Sequence, residues 1–288
     1  MADNRPIGVF DSGIGGLTVL REIIKTLPGE STVYFGDDGR APYGSKSHDT
    51  IIRYSLQDML FLQEKDVKMI VIACNTASTH AYEMLSKHSK VPVIEVVTPG
   101  AECAVRATMT GRIGIIATNA TVSSGAYETA VKDKAGELLS RGENKKAMKS
   151  LSVIQQACPL FVSLAEEGWW DDEIAYLTAR RYLKDVKDFG VDTLVLACTH
   201  YPLLAKTIAK VMGDKVTLIN SGVAVASKVA QIISENGMAS DGMNVTREFY
   251  TSDDAERFEN VAAPFLGSGL PRGTVKHTVD RYDISEFL

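Results

Sequence analysis

Two stretches of this chain end in the same reactive pattern. Val67-Lys-Met-Ile-Val-Ile-Ala-Cys-Asn-Thr76 and Val191-Asp-Thr-Leu-Val-Leu-Ala-Cys-Thr-His200 both run through apolar, partly β-branched residues into Ala-Cys and then into polar side chains. A thiolate is a soft nucleophilic base, and a neutral thiol is an acid of matched strength. Two such groups on either side of a carbon bearing an acidic hydrogen can remove the proton from one face and return one to the other, which inverts the stereocentre. The neighbours suit that task. His200 lies two residues after Cys198, Asp11 ends a predicted strand near Cys74, and Glu166 sits on a predicted helix in the second half. Each can accept or supply a thiol proton. Asn75, Thr76, Thr199 and His200 supply donors for a substrate carboxylate, and Ser12 and Tyr43-Gly44 add hydroxyl and backbone N–H groups.

Each of these residues also has a plainer role. A free cysteine is among the most buried residues, and this reading is kept for Cys103 and Cys158. Asp11 could cap the next helix, His200 could satisfy a carbonyl, and Tyr43 and Arg40 could decorate the surface of a turn-rich loop. What favours chemistry at Cys74 and Cys198 is the duplication of their setting. No C-x-x-C is present, and Cys198 with His200 is too small a set for zinc, so neither a metal site nor thiol-disulfide exchange is expected. Asp11-Ser-Gly-Ile-Gly-Gly16 is not the dinucleotide pattern G-x-G-x-x-G and reads as a strand-to-helix turn.

The elements that must position these residues follow from the same runs. A short apolar run closing on a small residue and a polar cluster is a buried parallel strand whose carboxyl end opens into a loop, the edge at which α/β proteins bind ligands. A weaker echo supports duplication: Ile7-Gly-Val-Phe-Asp-Ser12 recurs as Ile113-Gly-Ile-Ile-Ala-Thr118. Strands and helices alternate throughout. The expected fold is α/β, with two Rossmann-like or flavodoxin-like domains of mostly parallel sheet related by pseudo-symmetry. Two halves of one plan would set the thiols on opposite walls of a shared cleft, with the active site at the domain interface. Thr98-Pro-Gly100 is a natural crossing point between domains, and residues 136–150, rich in Lys and Glu, read as a solvated excursion.

With 31 Lys+Arg against 36 Asp+Glu the formal charge is -5, which does not suit a surface that tracks nucleic-acid phosphates. The first residues lack the apolar core of a signal peptide, and no run is long enough to span a bilayer, so a cytoplasmic protein without membrane association is expected. The four cysteines are then expected to be free thiols.

Taken together, Phe10-Asp-Ser-Gly-Ile-Gly-Gly16, Tyr34-Phe-Gly-Asp37 with Arg40 and Pro42-Tyr-Gly44, Ala73-Cys-Asn-Thr-Ala77, Ala157-Cys-Pro-Leu-Phe-Val162 with Glu166, and Cys198-Thr-His-Tyr-Pro202 closely resemble the aspartate/glutamate racemase family over nearly the whole chain. The resemblance implies cofactor-independent racemisation of glutamate, with Cys74 exchanging the α-proton of D-glutamate and Cys198 that of L-glutamate. It implies that Asp11 assists Cys74, that His200 and either Glu166 or Glu167 assist Cys198, the spacing to Cys198 favouring Glu166, and that Asp11, Ser12, Pro42, Tyr43, Gly44, Asn75, Thr76, Thr199 and His200 contact substrate. It further implies two α/β domains, 1–98 with 217–288 and 99–216, the C-terminal segment returning to the first, and a role in supplying D-glutamate for peptidoglycan. A homodimer is expected. The chain departs from the family pattern at Asp38-Gly39 and at Ser163. Aspartate racemisation is the nearest rival, which the wording of Pro42-Tyr-Gly44 and Cys198-Thr-His-Tyr-Pro202 disfavours. A one-cysteine relative is disfavoured by the presence of both thiols, and a non-catalytic amino-acid sensor would bind glutamate without exchanging its α-hydrogen.

Overall fold

The computed structural model describes residues 2–267 and 273–287. Among them ten strands run in chain order: β1 (Ile7–Asp11), β2 (Thr32–Gly36), β3 (Met69–Ile72), β4 (Val93–Glu95), β5 (Arg112–Ala117), β6 (Ser152–Ala157), β7 (Thr193–Ala197), β8 (Thr217–Asn220), β9 (Arg247–Thr251) and β10 (Val275–Lys276). The chain divides into two compact units, residues 1–96 with 225–288 and Val97–Ala224.

The first unit holds a six-stranded parallel sheet in the order β10-β9-β2-β1-β3-β4. β1, β2 and β3 are buried along their whole length, which is why their sequences are largely apolar rather than alternating, with Thr32 and Asp11 at strand ends. On one face Phe10, Phe35, Ile70 and Ile72 pack with Leu56, Met59 and Leu62 of the helix His48–Glu64 and with Ala77, Ala81 and Leu85 of the helix Asn75–His88. Val279 and Ile284, close to the chain end, complete that core.

The second unit holds a four-stranded parallel sheet in the order β6-β5-β7-β8. Its central strands divide their side chains between two cores. Ile116, Leu194 and Leu196 pack with the helix Glu173–Asp188, and Ile113, Ile115 and Val195 pack with the helices Val97–Ala107 and Ala126–Ser140. The order β2-β1-β3-β4 of the first sheet thus repeats as β6-β5-β7-β8 in the second.

Several elements differ from the sequence expectation. β8 pairs with β7, Leu218 opposite Leu194, so the second unit continues past residue 216 to Ala224, into the first turn of the helix Ser221–Glu235. Thr98-Pro-Gly100 lies directly after the boundary between the units at Val96, and it forms the start of the helix Val97–Ala107, whose first turn tolerates Pro99 because no intrahelical N–H is needed there. Residues 136–150 are not all solvated: the helix from Ala126 runs to Ser140, and Ala147 and Met148 are buried in the second unit's core, two apolar side chains that the surrounding charges obscured. The helices Asn119–Ser124 and Ala126–Ser140 are separated by Gly125 at φ +67°, a left-handed conformation that glycine adopts without strain.

Candidate active site

In the first unit the candidate residues gather at the carboxyl edge of β1 and β3. Ile72 pairs with Phe10, and Ala73 N donates to Phe10 O at 2.9 Å, which sets Cys74 beside the loop that follows Asp11. Cys74 caps the helix Asn75–His88 and is 6 % exposed. Its sulfur accepts from Ala77 N at 3.4 Å and lies 3.4 Å from Ser12 Oγ. Burial, and after it the negative charge of Asp11, push the Cys74 thiol up to about 12, against the opposing pull of its Ser12 and Ala77 hydrogen bonds. Asp11 is fully buried and accepts from Gly16 N at 3.0 Å. Only glycine fits at 16, since a Cβ there would stand 2.4 Å from Asp11 Cβ and 2.8 Å from the Tyr34 hydroxyl. Asn75 and Thr76, both buried, form the first turn of the helix behind the sulfur.

The loop after β2 belongs to the same edge, because Asp37 N donates to Asp11 O at 3.0 Å. Pro42 is exposed and Gly44 half-buried, but Tyr43 is wholly buried and its hydroxyl is bonded to Asp37 and Asp58. The Tyr43 hydroxyl is therefore committed to the protein, and Tyr43-Gly44 has only backbone groups to offer a ligand. Nor is Arg40 surface decoration: its side chain is 12 % exposed and ion-paired to Asp37 and Asp58.

In the second unit β7 delivers Cys198, 5 % exposed, to the equivalent edge beside β5, Ala197 opposite Ala117. His200 Nδ1 is 3.9 Å from Cys198 Sγ and 3.4 Å from Thr199 Oγ1, while its Nε2 is 3.0 Å from Glu166 Oε1 at the end of the helix Leu160–Glu166. Glu166, and not Glu167, is the carboxylate in contact. Burial by itself would lower the His200 pKa, but hydrogen bonds to Cys198 and Glu166, and their charges, outweigh it and raise it to about 10. The imidazole is held as a cation beside the sulfur. Cys158 is fully buried, and burial, then the nearby Cys198, push its thiol up; Cys103 is pushed up by burial and then by Glu102.

The sequence reading passed over two residues at this edge. Thr118 follows β5 directly, and its hydroxyl accepts from Thr121 N at 3.3 Å and donates to Thr121 Oγ1 at 3.1 Å. The signal was present in the echo, in which Thr118 stands where the first half has Ser12.

A family model described as Asp/Glu/Hydantoin racemase matches residues 7–229. The chain belongs to that family. It is 45 % identical to a glutamate racemase of Geobacter metallireducens over 92 % of this chain and 94 % of that one. Among solved structures, this family member is similar to a glutamate racemase isoform of Bacillus anthracis, with TM-score 0.87 and 35 % identity over 97 % of this chain and 98 % of that one. It is also similar to the glutamate racemase of Francisella tularensis in complex with D-glutamate, with TM-score 0.86 and 36 % identity over 97 % and 100 % of the two chains.

Proposed function

We propose that this chain interconverts L- and D-glutamate at the α-carbon without a cofactor, one thiol removing the α-proton while the other returns a proton to the opposite face. The observation that carries the reading is the pair of equivalent strand-end cysteines, Cys74 near the buried Asp11 carboxyl group and Cys198 beside the buried His200 imidazole. The relatives named glutamate racemase, one of them in complex with D-glutamate, support glutamate as the substrate. In this reading Cys74, assisted by Asp11, exchanges the proton of the D-enantiomer, and Cys198, assisted by His200 and Glu166, that of the L-enantiomer. Ser12, Asn75, Thr76, Thr199, Thr118, Thr121 and the backbone of Tyr43-Gly44 hold the carboxylates and the amine, stabilising the charge that develops as the α-proton leaves.

Free thiols need a reducing compartment, so the reaction belongs in the cytoplasm, where D-glutamate would be made for peptidoglycan. Among the described residues no helix is long and apolar enough to cross a membrane. A homodimer is part of the same proposal, and light scattering would show twice the chain mass of 31.2 kDa.

The test is incubation of the pure protein in heavy water with L- or D-glutamate and, separately, aspartate, without added cofactor. Loss of optical rotation with α-deuterium uptake is expected for glutamate alone. Binding without deuterium uptake would make the protein a sensor, faster turnover of aspartate would make the rival substrate the right one, and a requirement for pyridoxal phosphate would remove the mechanism.

A further inference from the structure

Arg40 is the hub of a largely buried polar network that adjoins the candidate site. Its Nε donates to Asp37 Oδ1 and Oδ2 at 2.9 and 2.7 Å, Nη1 to Gln57 Oε1 at 2.5 Å and Asp280 Oδ1 at 3.1 Å, and Nη2 to Asp58 Oδ1 at 3.0 Å. The guanidinium also lies 4.1 Å from the centre of the Tyr54 ring. Three residues on, the Tyr43 hydroxyl bonds to the other oxygen of Asp58, at 2.9 Å, and to Asp37. The stretch 40–43 is thus fastened at both ends to the same two carboxyls, which are themselves fully buried.

A phenol has one proton and faces two carboxyl oxygens here. If both acids were ionised, two buried negative charges would share one guanidinium, one phenol proton and the Ser252 hydroxyl that bonds to Asp37, while the third carboxylate on Arg40, Asp280, is 72 % exposed and screened by water. A single extra proton resolves this: a protonated Asp58 donates to the Tyr43 oxygen, Tyr43 donates to Asp37, and Arg40 neutralises Asp37. Burial pushes both acids up, and Asp58 well above the usual range, since the charges of Asp37 and Asp11 add to its burial while Arg40 opposes them.

The network reaches the candidate site on two sides. Asp37 N is bonded to Asp11 O, and the turn Tyr43–Ser45 packs against the helix that Cys74 caps. We propose that Arg40 is a positioning residue for the substrate-binding loop Pro42-Tyr-Gly44, acting through Asp37, Tyr43 and Asp58. This rests on the glutamate reading above and adds a residue to it. A lysine keeps the charge but not the planar fork, so it cannot hold both acids at once.

The experiment is steady-state racemisation by the wild type and by Arg40→Lys, Asp37→Asn and Asp58→Asn, with thermal unfolding of each. Arg40→Lys is expected to raise KM for both enantiomers about tenfold while kcat stays within about threefold, since a displaced loop weakens ground and transition states alike. Asp58→Asn replaces one neutral group by another, so its rise in KM should be at least about fivefold smaller than that of Asp37→Asn, which strips Arg40 of its counter-charge. A fall in kcat at constant KM for Arg40→Lys would overturn the positioning role. Equal or inverted effects of the two Asn variants would overturn the proton assignment, and that comparison also decides the matter if Arg40→Lys is too unstable to assay. A wild type that leaves the α-hydrogen of glutamate in place sinks the functional reading itself, whereas an active wild type with KM unmoved by Arg40→Lys sinks only this inference.

Discussion

Asp11 closes the central strand of the first unit where Ala117 closes that of the second, although the strands around them follow the same order and nearly the same register. Phe10 faces Ile72 as Ile116 faces Leu196, so Cys74 and Cys198 occupy equivalent places, and so do Ser12 and Thr118. What does not repeat is the proton chemistry. Cys74 has a carboxylate neighbour and a helix N-terminus, and its thiol holds its proton to about 12. Cys198 has no strand-end acid, and its partner is an imidazole kept cationic up to about 10. The lesson is that the duplicated backbone fixes where each sulfur sits, while the side chains that differ between the two copies, Asp11 against Ala117 and Thr76 against His200, give each sulfur its own surroundings.

The comparison breaks first at the thiols themselves. Cys74→Ser and Cys198→Ser are each expected to lower racemisation by roughly 10³-fold or more, because a hydroxyl is too weak an acid to replace a thiol in proton transfer. The two variants should differ in what survives. Cys74→Ser leaves the base that serves L-glutamate and should still exchange the α-hydrogen of that enantiomer alone; Cys198→Ser should do the reverse. Exchange with the same enantiomer in both variants would end the assignment of faces.

A second test sharpens it at the helpers. His200→Asn and Asp11→Asn should each cost about 10²-fold in kcat/KM. Because the two enantiomers are equally stable, kcat/KM must fall equally in both directions, so the discriminating readout is the α-deuterium isotope effect. His200→Asn should enlarge it for L-glutamate and Asp11→Asn for D-glutamate. Isotope effects that rise together in either variant would mean that the helpers do not belong to separate faces.

Chemical modification gives a smaller contrast. The two sulfurs are equally shielded, at 6 % and 5 % exposure, so access does not separate them. Burial, and after it the charge of Asp11, hold the proton on Cys74, and a protonated thiol is a poor nucleophile. Iodoacetamide near pH 8 should therefore label Cys198 about tenfold faster than Cys74 by peptide mapping, and Asp11→Asn should narrow the gap. Faster labelling of Cys74 would mean that Asp11 and burial do not hold its proton.

Much of this contrast could be read from the sequence, because strands buried on both faces advertise themselves as apolar runs and both cysteines lie at the ends of such runs. The aligned echo even contains the Asp11 and Ala117 difference. Tyr43 and Arg40 could not be read in this way. Their partners Asp37, Asp58 and Asp280 lie on separate elements, and a turn-rich loop gives no periodic signal of which side chains face inward. The end of the second unit at Ala224 was hidden for a related reason: β8 is an edge strand, half-buried and short, and only its pairing to β7 assigns it.

The smallest expected effect concerns stability. The folded His200 pKa lies above its ordinary value of 6.5, at about 10, so the folded state binds this proton more tightly than the unfolded chain does. The imidazolium therefore contributes fully below about pH 6.5, and its contribution shrinks as pH rises and is gone above about 10. Glu166, one of the two partners responsible, is 47 % exposed and screened by water, which holds the gain to the order of 1 kcal/mol. The melting temperature of the wild type should accordingly exceed that of His200→Asn by a few degrees at pH 6, with the gap closing toward pH 10. Cys74 cannot produce that trend, since its thiol is the same in both proteins. A gap that widens with pH would mean that His200 is neutral in the folded chain, and the second half would then lose the cation that distinguishes it from the first.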